Sequence, residues 1–182
     1  VRRLLLVLGV AALVVLTASP ASAVDQPYER NDAANEVPYR AGDIAKIRIG
    51  YTDELRLSVY ARANRSATSP EWTAAGGRTN IVWKLRDDPG ATVDWTIRLY
   101  SRIAGPTVQI RDEAGTVVNE CDVHVVFANA GRYTIEITPD CLGTPSSVRA
   151  KATFTFKPPG QPPRSIDNSP GNTFTPAVER AI

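Results

Sequence analysis

Few residues in this chain are of a type and spacing that could do chemistry. His124 is the only histidine, so a general base or an imidazole-activated nucleophile would have to be this one. Alternation along its segment sets it opposite Cys121, Val123 and Val125, which predicts an outward or edge position. No Gly-x-Ser-x-Gly elbow exists to supply a serine nucleophile. Asp87, Asp88 and Asp94 bracket a Pro89-Gly90 turn. Carboxylates converging on one loop can hold Ca2+, which takes six to eight oxygen ligands, and these three are the candidate metal ligands. Their spacing matches no calcium loop, and aspartates in turns commonly bond to the backbone instead. No other cofactor is expected. Glycoside hydrolysis needs two carboxylates at a set separation, and nothing singles out two among the 19 acidic residues.

Aromatic residues carry the binding reading, since sugars are held on aromatic platforms with a few polar groups. Trp83 and Trp95 share the apolar side of their segments, so both are expected in the core. Trp72 lies between Pro70 and Gly76-Gly77 in a loop, while Tyr60 and Tyr100 occupy outward positions. These three are the candidate ligand-binding residues, provided that they form one exposed row. Cys121 and Cys141 lack Cys-x-x-Cys spacing, and they are read as a structural disulfide and not a reactive pair. Zinc is not expected, because a structural site needs four Cys/His ligands at close spacing.

The elements that must position these residues follow from the pattern of the chain. Val1-Arg2-Arg3, the apolar run Leu4–Leu16 and the triplet Ala21-Ser22-Ala23 form the three parts of a secretory signal, with cleavage expected after Ala23. The apolar core is shorter than the ~20 residues a membrane-crossing helix needs. The expected address is therefore secreted, with no stable membrane insertion after cleavage. Removing Arg2 and Arg3 brings the 21 Lys and Arg to 19, level with the 19 Asp and Glu. A neutral chain has no electrostatic footprint for nucleic acid. About 159 residues remain, enough for one domain with a hydrophobic core.

That remainder reads as strands. Ala45, Ile47, Ile49 and Tyr51 alternate with Lys46 and Arg48. Leu55, Leu57, Val59 and Ala61 alternate with Arg56 and Ser58. Similar runs end at Leu85, Leu99, Ile110, Ile137 and Phe156. Val117 to Phe127 reads as one strand with Val117, Cys121, Val123, Val125 and Phe127 on one face. Period-two alternation marks half-buried antiparallel strands, and turns such as Asp88-Pro89-Gly90 and Gly143-Thr144-Pro145 punctuate them. About eight strands predict an all-β, antiparallel two-sheet sandwich over residues 43–156. Residues 24–42 lack periodicity and are expected to be irregular. Residues 157–182 hold six prolines, and a Pro-rich tail lying on the domain or loose in solvent is expected there.

A resemblance adds to this. Gly42-Asp43-Ile44, Trp83-Lys84-Leu85-Arg86-Asp87-Asp88-Pro89-Gly90, Pro139-Asp140-Cys141-Leu142-Gly143-Thr144-Pro145, Asp167 to Pro170 and Phe174 to Arg180 together resemble a group of uncharacterised secreted proteins of actinobacteria. The Pro-x-Cys-Leu-Gly-x-Pro signature is the most specific piece. The resemblance implies a jelly-roll-like sandwich, broadly similar to extracellular sugar-binding modules, and it transfers no catalytic residues. Asn35-Glu36 stands where an Asp-rich Gly-Asp step is commoner in that group. The expected function is a non-catalytic extracellular module binding a polysaccharide or cell-surface ligand. The alternatives are a structural or protein-interaction component of the cell envelope and, last, a hydrolase built on acidic residues.

Overall fold

The computed structural model describes residues 27–73, 79–87, 93–119, 121–128, 131–161 and 165–181. The expected signal, residues 1–23, lies outside them, as does Asp88. The strands are β1 (Tyr28–Asn31), β2 (Ile44–Tyr51), β3 (Leu55–Ala61), β4 (Asn80–Arg86), β5 (Trp95–Tyr100), β6 (Thr107–Arg111), β7 (Val117–Val118), β8 (Val123–Ala128), β9 (Arg132–Ile137), β10 (Ser147–Phe156), β11 (Ser165–Ser169) and β12 (Val178–Glu179). A short helix α1 (Pro70–Thr73) joins β3 to β4.

Two antiparallel sheets result. One has the order β1-β2-β3-β9-β8, and the other has β11-β10-β4-β5-β6-β7 with β12 pairing β10. Between them lie the inward sides of the alternating runs: Ile47, Ile49, Leu57, Val59 and Ile135 from the first sheet, and Trp83, Leu85, Leu99, Ala152 and Phe154 from the second. Burying about ten such side chains, at roughly 1.5–3 kcal/mol each, holds the sheets face to face. The two-sheet sandwich is thus the one that alternation predicts. The strand order leaves the jelly-roll label resting on the resemblance alone.

Four local features depart from the simple alternation. First, the register slips between Ile44 and Lys46. Ile44 is fully buried while Ala45 is only half-buried, because a β-bulge turns one extra residue out of the pleat. Second, Val117–Phe127 is two strands, not one: β7 belongs to the larger sheet and β8 to the smaller. The chain crosses between sheets around Cys121, whose disulfide to Cys141 spans Cα atoms 5.2 Å apart.

Third, the segment 24–42 contains β1 and a 3₁₀ turn at Arg40–Gly42. β1 shows no apolar alternation because it is an edge strand whose Glu29 and Arg30 are exposed. Fourth, residues 157–182 supply β11 and β12 to the larger sheet, so the sandwich does not end at Phe156. The inward residues of β11 are Ser165, Asp167 and Ser169, all buried, and polar inward positions give no apolar signal to read. The strand is at an edge, as its flanking prolines require.

The segments around Pro139–Pro145 and Gly42 acquire physical reasons here. Pro139–Leu142 is a 3₁₀ helix closed by Gly143 at φ 69°, with Leu142 buried. The Tyr51 hydroxyl donates to the Pro145 carbonyl at 2.5 Å. Gly42 packs where a Cβ would overlap the Cβ of Phe156. Gly42→Ala is therefore expected to cost about 1–3 kcal/mol by overpacking, read as a lowered urea midpoint at unchanged slope.

Candidate functional site

The outward side of the five-stranded sheet is set by register, and three cross-strand rows run over it. Asn31, Lys46, Tyr60, Arg132 and Ala128 form one row. Glu29, Arg48, Ser58, Thr134 and Val126 form the next. Gly50, Arg56, Glu136 and His124 form the third. Small side chains in the middle and long ones around them leave a hollow of about 220 Å3, lined by Arg48, Arg56, Ser58, Tyr60, Arg132 and Glu136 among others. Its floor is a buried hydroxyl pair, Ser58 Oγ and Thr134 Oγ1, 2.9 Å apart.

Cations outnumber carboxylates on this surface. Glu29 is shared by Lys46 at 3.2 Å and Arg48 at 3.3 Å. Arg56 reaches Glu54 at 3.2 Å and Glu136 at 3.3 Å. Arg132 makes no ion pair among the described residues, and its Nε is buried without a hydrogen-bond partner. A guanidinium without a carboxylate partner, beside two other arginines, is suited to a planar carboxylate or a sulfate, which its terminal amino groups can grip. At about 220 Å3 the hollow is smaller than the ~300–1,000 Å3 of sites that engulf a small molecule. It fits a group presented by a larger ligand.

The residues singled out from the sequence scatter. Tyr60 lines this hollow, with Lys46 Nζ 4.5 Å from its ring centroid. Tyr100 lies on the outward side of the other sheet, on β5, where Arg102 Nη2 donates to its hydroxyl at 2.6 Å. Trp72 is fully buried, which corrects the expectation of an exposed loop aromatic. Its ring sits between the sheets, 5.2 Å from Phe127, 5.6 Å from Tyr133 and 6.4 Å from Phe154. Tyr60, Tyr100 and Trp72 therefore do not make one aromatic row.

Asp94 accepts a hydrogen bond from the Asp87 backbone N–H at 2.9 Å, which is turn bonding. Burial, opposed by that bond and reinforced by the neighbouring Asp87 carboxylate, holds Asp94 above the ordinary carboxylate range. Among the described residues, three further carboxylates converge at Asp32, Glu36 and Asp167, drawn from both ends of the chain. Arg48, Arg132, Ser58 and Thr134 went unmarked in the sequence because each reads as one more polar residue on a solvated face. Only strand register reveals that they share one.

A second hollow, of about 580 Å3, opens between the sheets where β6 and β7 face β8, and Val108, Ile110, Val117, Val118, Val123 and Val125 line it. It is larger, and Tyr100, Gln109, Asn119 and Asp122 line it as well. A scan against protein-family models gives no match, and a search of curated proteins gives none.

Proposed function

We propose that this chain is an exported, non-catalytic binding module that takes an acidic cell-surface polysaccharide on the outward side of its five-stranded sheet. The supporting observation is Arg132, which makes no ion pair among the described residues, set beside Arg48 and Arg56 over the Ser58–Thr134 floor. Arginines would take the carboxylates or sulfates of the polymer, and the hydroxyl pair and Tyr60 would meet its sugar ring. Export rests on the Arg2-Arg3, Leu4–Leu16 and Ala21-Ser22-Ala23 pattern. The Cys121–Cys141 disulfide agrees with an oxidising compartment, as does the likeness to secreted actinobacterial proteins. No helix among the described residues is long and apolar enough to cross a membrane.

The test is retention on carboxylated beads (alginate, pectate) against neutral cellulose. Retention on the acidic polymers alone, weakened by salt, is expected. Arg132→Ala should weaken it about tenfold or more, the worth of a charge-assisted hydrogen bond, with no change in melting temperature. Equal retention on neutral polymer, or an unaffected Arg132→Ala variant, would refute the reading. The second reading, a protein partner of the envelope, is favoured by the valine-lined groove beside the edge strand β8. It would be supported by binding that survives Arg132→Ala and fails in Val125→Asp.

A further inference from the structure

Buried negative charge at the junction of the two chain ends is unbalanced. Asp32 follows β1, Glu36 lies in the next loop, Asp43 precedes β2, and Asp167 is the central residue of β11. Oxygen atoms of Asp32, Glu36 and Asp167 all lie within 4.8 Å of one another. Asp43 stands close enough that its charge and that of Asp32 both act on Asp167.

Among the described residues, Arg62 is the one cation paired to this group. Its Nε is 3.1 Å from Asp43 Oδ2, and its Nη2 donates to the carbonyls of Asp32 and Ala33 at 2.8 and 2.9 Å. Backbone N–H groups serve Asp167, from Ile44 at 2.6 Å and Asn168 at 2.8 Å. Another, from Asn35, serves Asp43 Oδ2 at 2.9 Å.

Two oxygens remain. Asp43 is completely buried and its Oδ1 has no hydrogen-bond partner, and Asp32 Oδ2 is buried and likewise unpartnered. Leaving a buried carboxylate oxygen unpaired costs several kcal/mol, and Arg62 meets only Asp43, so the orphaned Asp32 Oδ2 within the converging group, next to the orphaned Asp43 Oδ1, marks a place for a further positive charge.

We propose that Asp32, Glu36 and Asp167, with Asp43 beside them, hold a calcium ion that fastens the N-terminal segment to β11. The geometry agrees: two oxygens bound about 2.4 Å from one ion are never more than ~4.8 Å apart. An all-oxygen set selects a hard cation over zinc or copper. Calcium tolerates the irregular arrangement a loop and two strands supply, whereas magnesium demands a regular octahedron. The site uses Gly42-Asp43-Ile44 and Asp167–Pro170, two motifs far apart in the chain, and gives one reason for both.

The test is thermal unfolding of chelator-treated protein titrated with CaCl2, at constant ionic strength, with MgCl2 and NaCl as controls. Calcium is expected to raise Tm saturably, by about 5 °C or more at a hundredfold excess over Kd, with one ion bound per chain by calorimetry. Glu36 is exposed, so Glu36→Gln should keep the calcium-free Tm while weakening calcium at least about tenfold. Asp167→Asn should abolish the calcium response. A Tm unmoved by calcium, an equal rise with magnesium or sodium, or an undiminished calcium response in both variants would overturn the proposal.

Discussion

Trp72→Ala is expected to lose about 3–5 kcal/mol of stability, the range for emptying a large aromatic site in a core. In a domain of this size that is a fall in Tm of roughly 10 °C, a large share of the ~5–15 kcal/mol a domain typically has. The reason is position. α1 is a single turn between sheets, with the Trp72 N–H bonded to the Ser69 carbonyl at 2.9 Å, and it presents the indole to Phe127 and Tyr133 of one sheet and Phe154 of the other. The edge-to-face pair with Phe127 adds about 0.5–1.5 kcal/mol beyond area. Trp72→Phe should recover part of the loss. Under the proposed function, the folded fraction of either variant, measured at low temperature, should keep the parent's retention on acidic polymer, because the buried indole lies away from the outward side of the five-stranded sheet.

Removing the disulfide comes next in size. Cys121→Ala with Cys141→Ala should cost about 3 kcal/mol, since the bond closes a loop of 20 residues. It joins the crossover between sheets to the 3₁₀ turn after β9, so its loss frees the point at which the chain changes sheets. Equilibrium unfolding in urea would show a lower midpoint with a steeper slope, the second effect reporting a more expanded unfolded chain. A midpoint unchanged within error would mean that the β7–β8 crossover is held by packing alone.

How far the sequence could be read follows from the same physics. Alternation is a direct record of burial, so β3, β4, β9 and β10 and their inward residues were legible: Leu57, Trp83, Ile135 and Phe154 all lie in the core. The bulge at Ala45 was not, because a slipped register leaves no mark in composition. β11 was hidden because its inward residues Ser165, Asp167 and Ser169 are polar, Ser165 Oγ accepting from the Tyr39 N–H at 3.2 Å and Asp167 from the Ile44 N–H at 2.6 Å. Trp72 misled for a related reason: a position between Pro70 and Gly76-Gly77 looked like a place for exposure, and nothing local shows that α1 turns the indole in against Phe127, Tyr133 and Phe154.

The proposed binding face was half legible. Tyr60 was placed outward correctly, but Arg48, Ser58, Arg132 and Thr134 sit on three different strands, and their meeting depends on pairing that no local pattern states. The acidic group at Asp32, Glu36 and Asp167 is the same case in stronger form, since 131 residues separate Glu36 from Asp167 and β11 itself had not been recognised.

One measurement tests the central claim most directly: titration of isotope-labelled protein with oligogalacturonate, followed through the backbone amides. Shifts confined to Gly50, Arg56, Ser58, Arg132, Thr134 and Glu136 are expected, saturating together and absent with a neutral oligosaccharide. Shifts confined to the groove from Val108 to Val125, or none at saturating ligand, would contradict it.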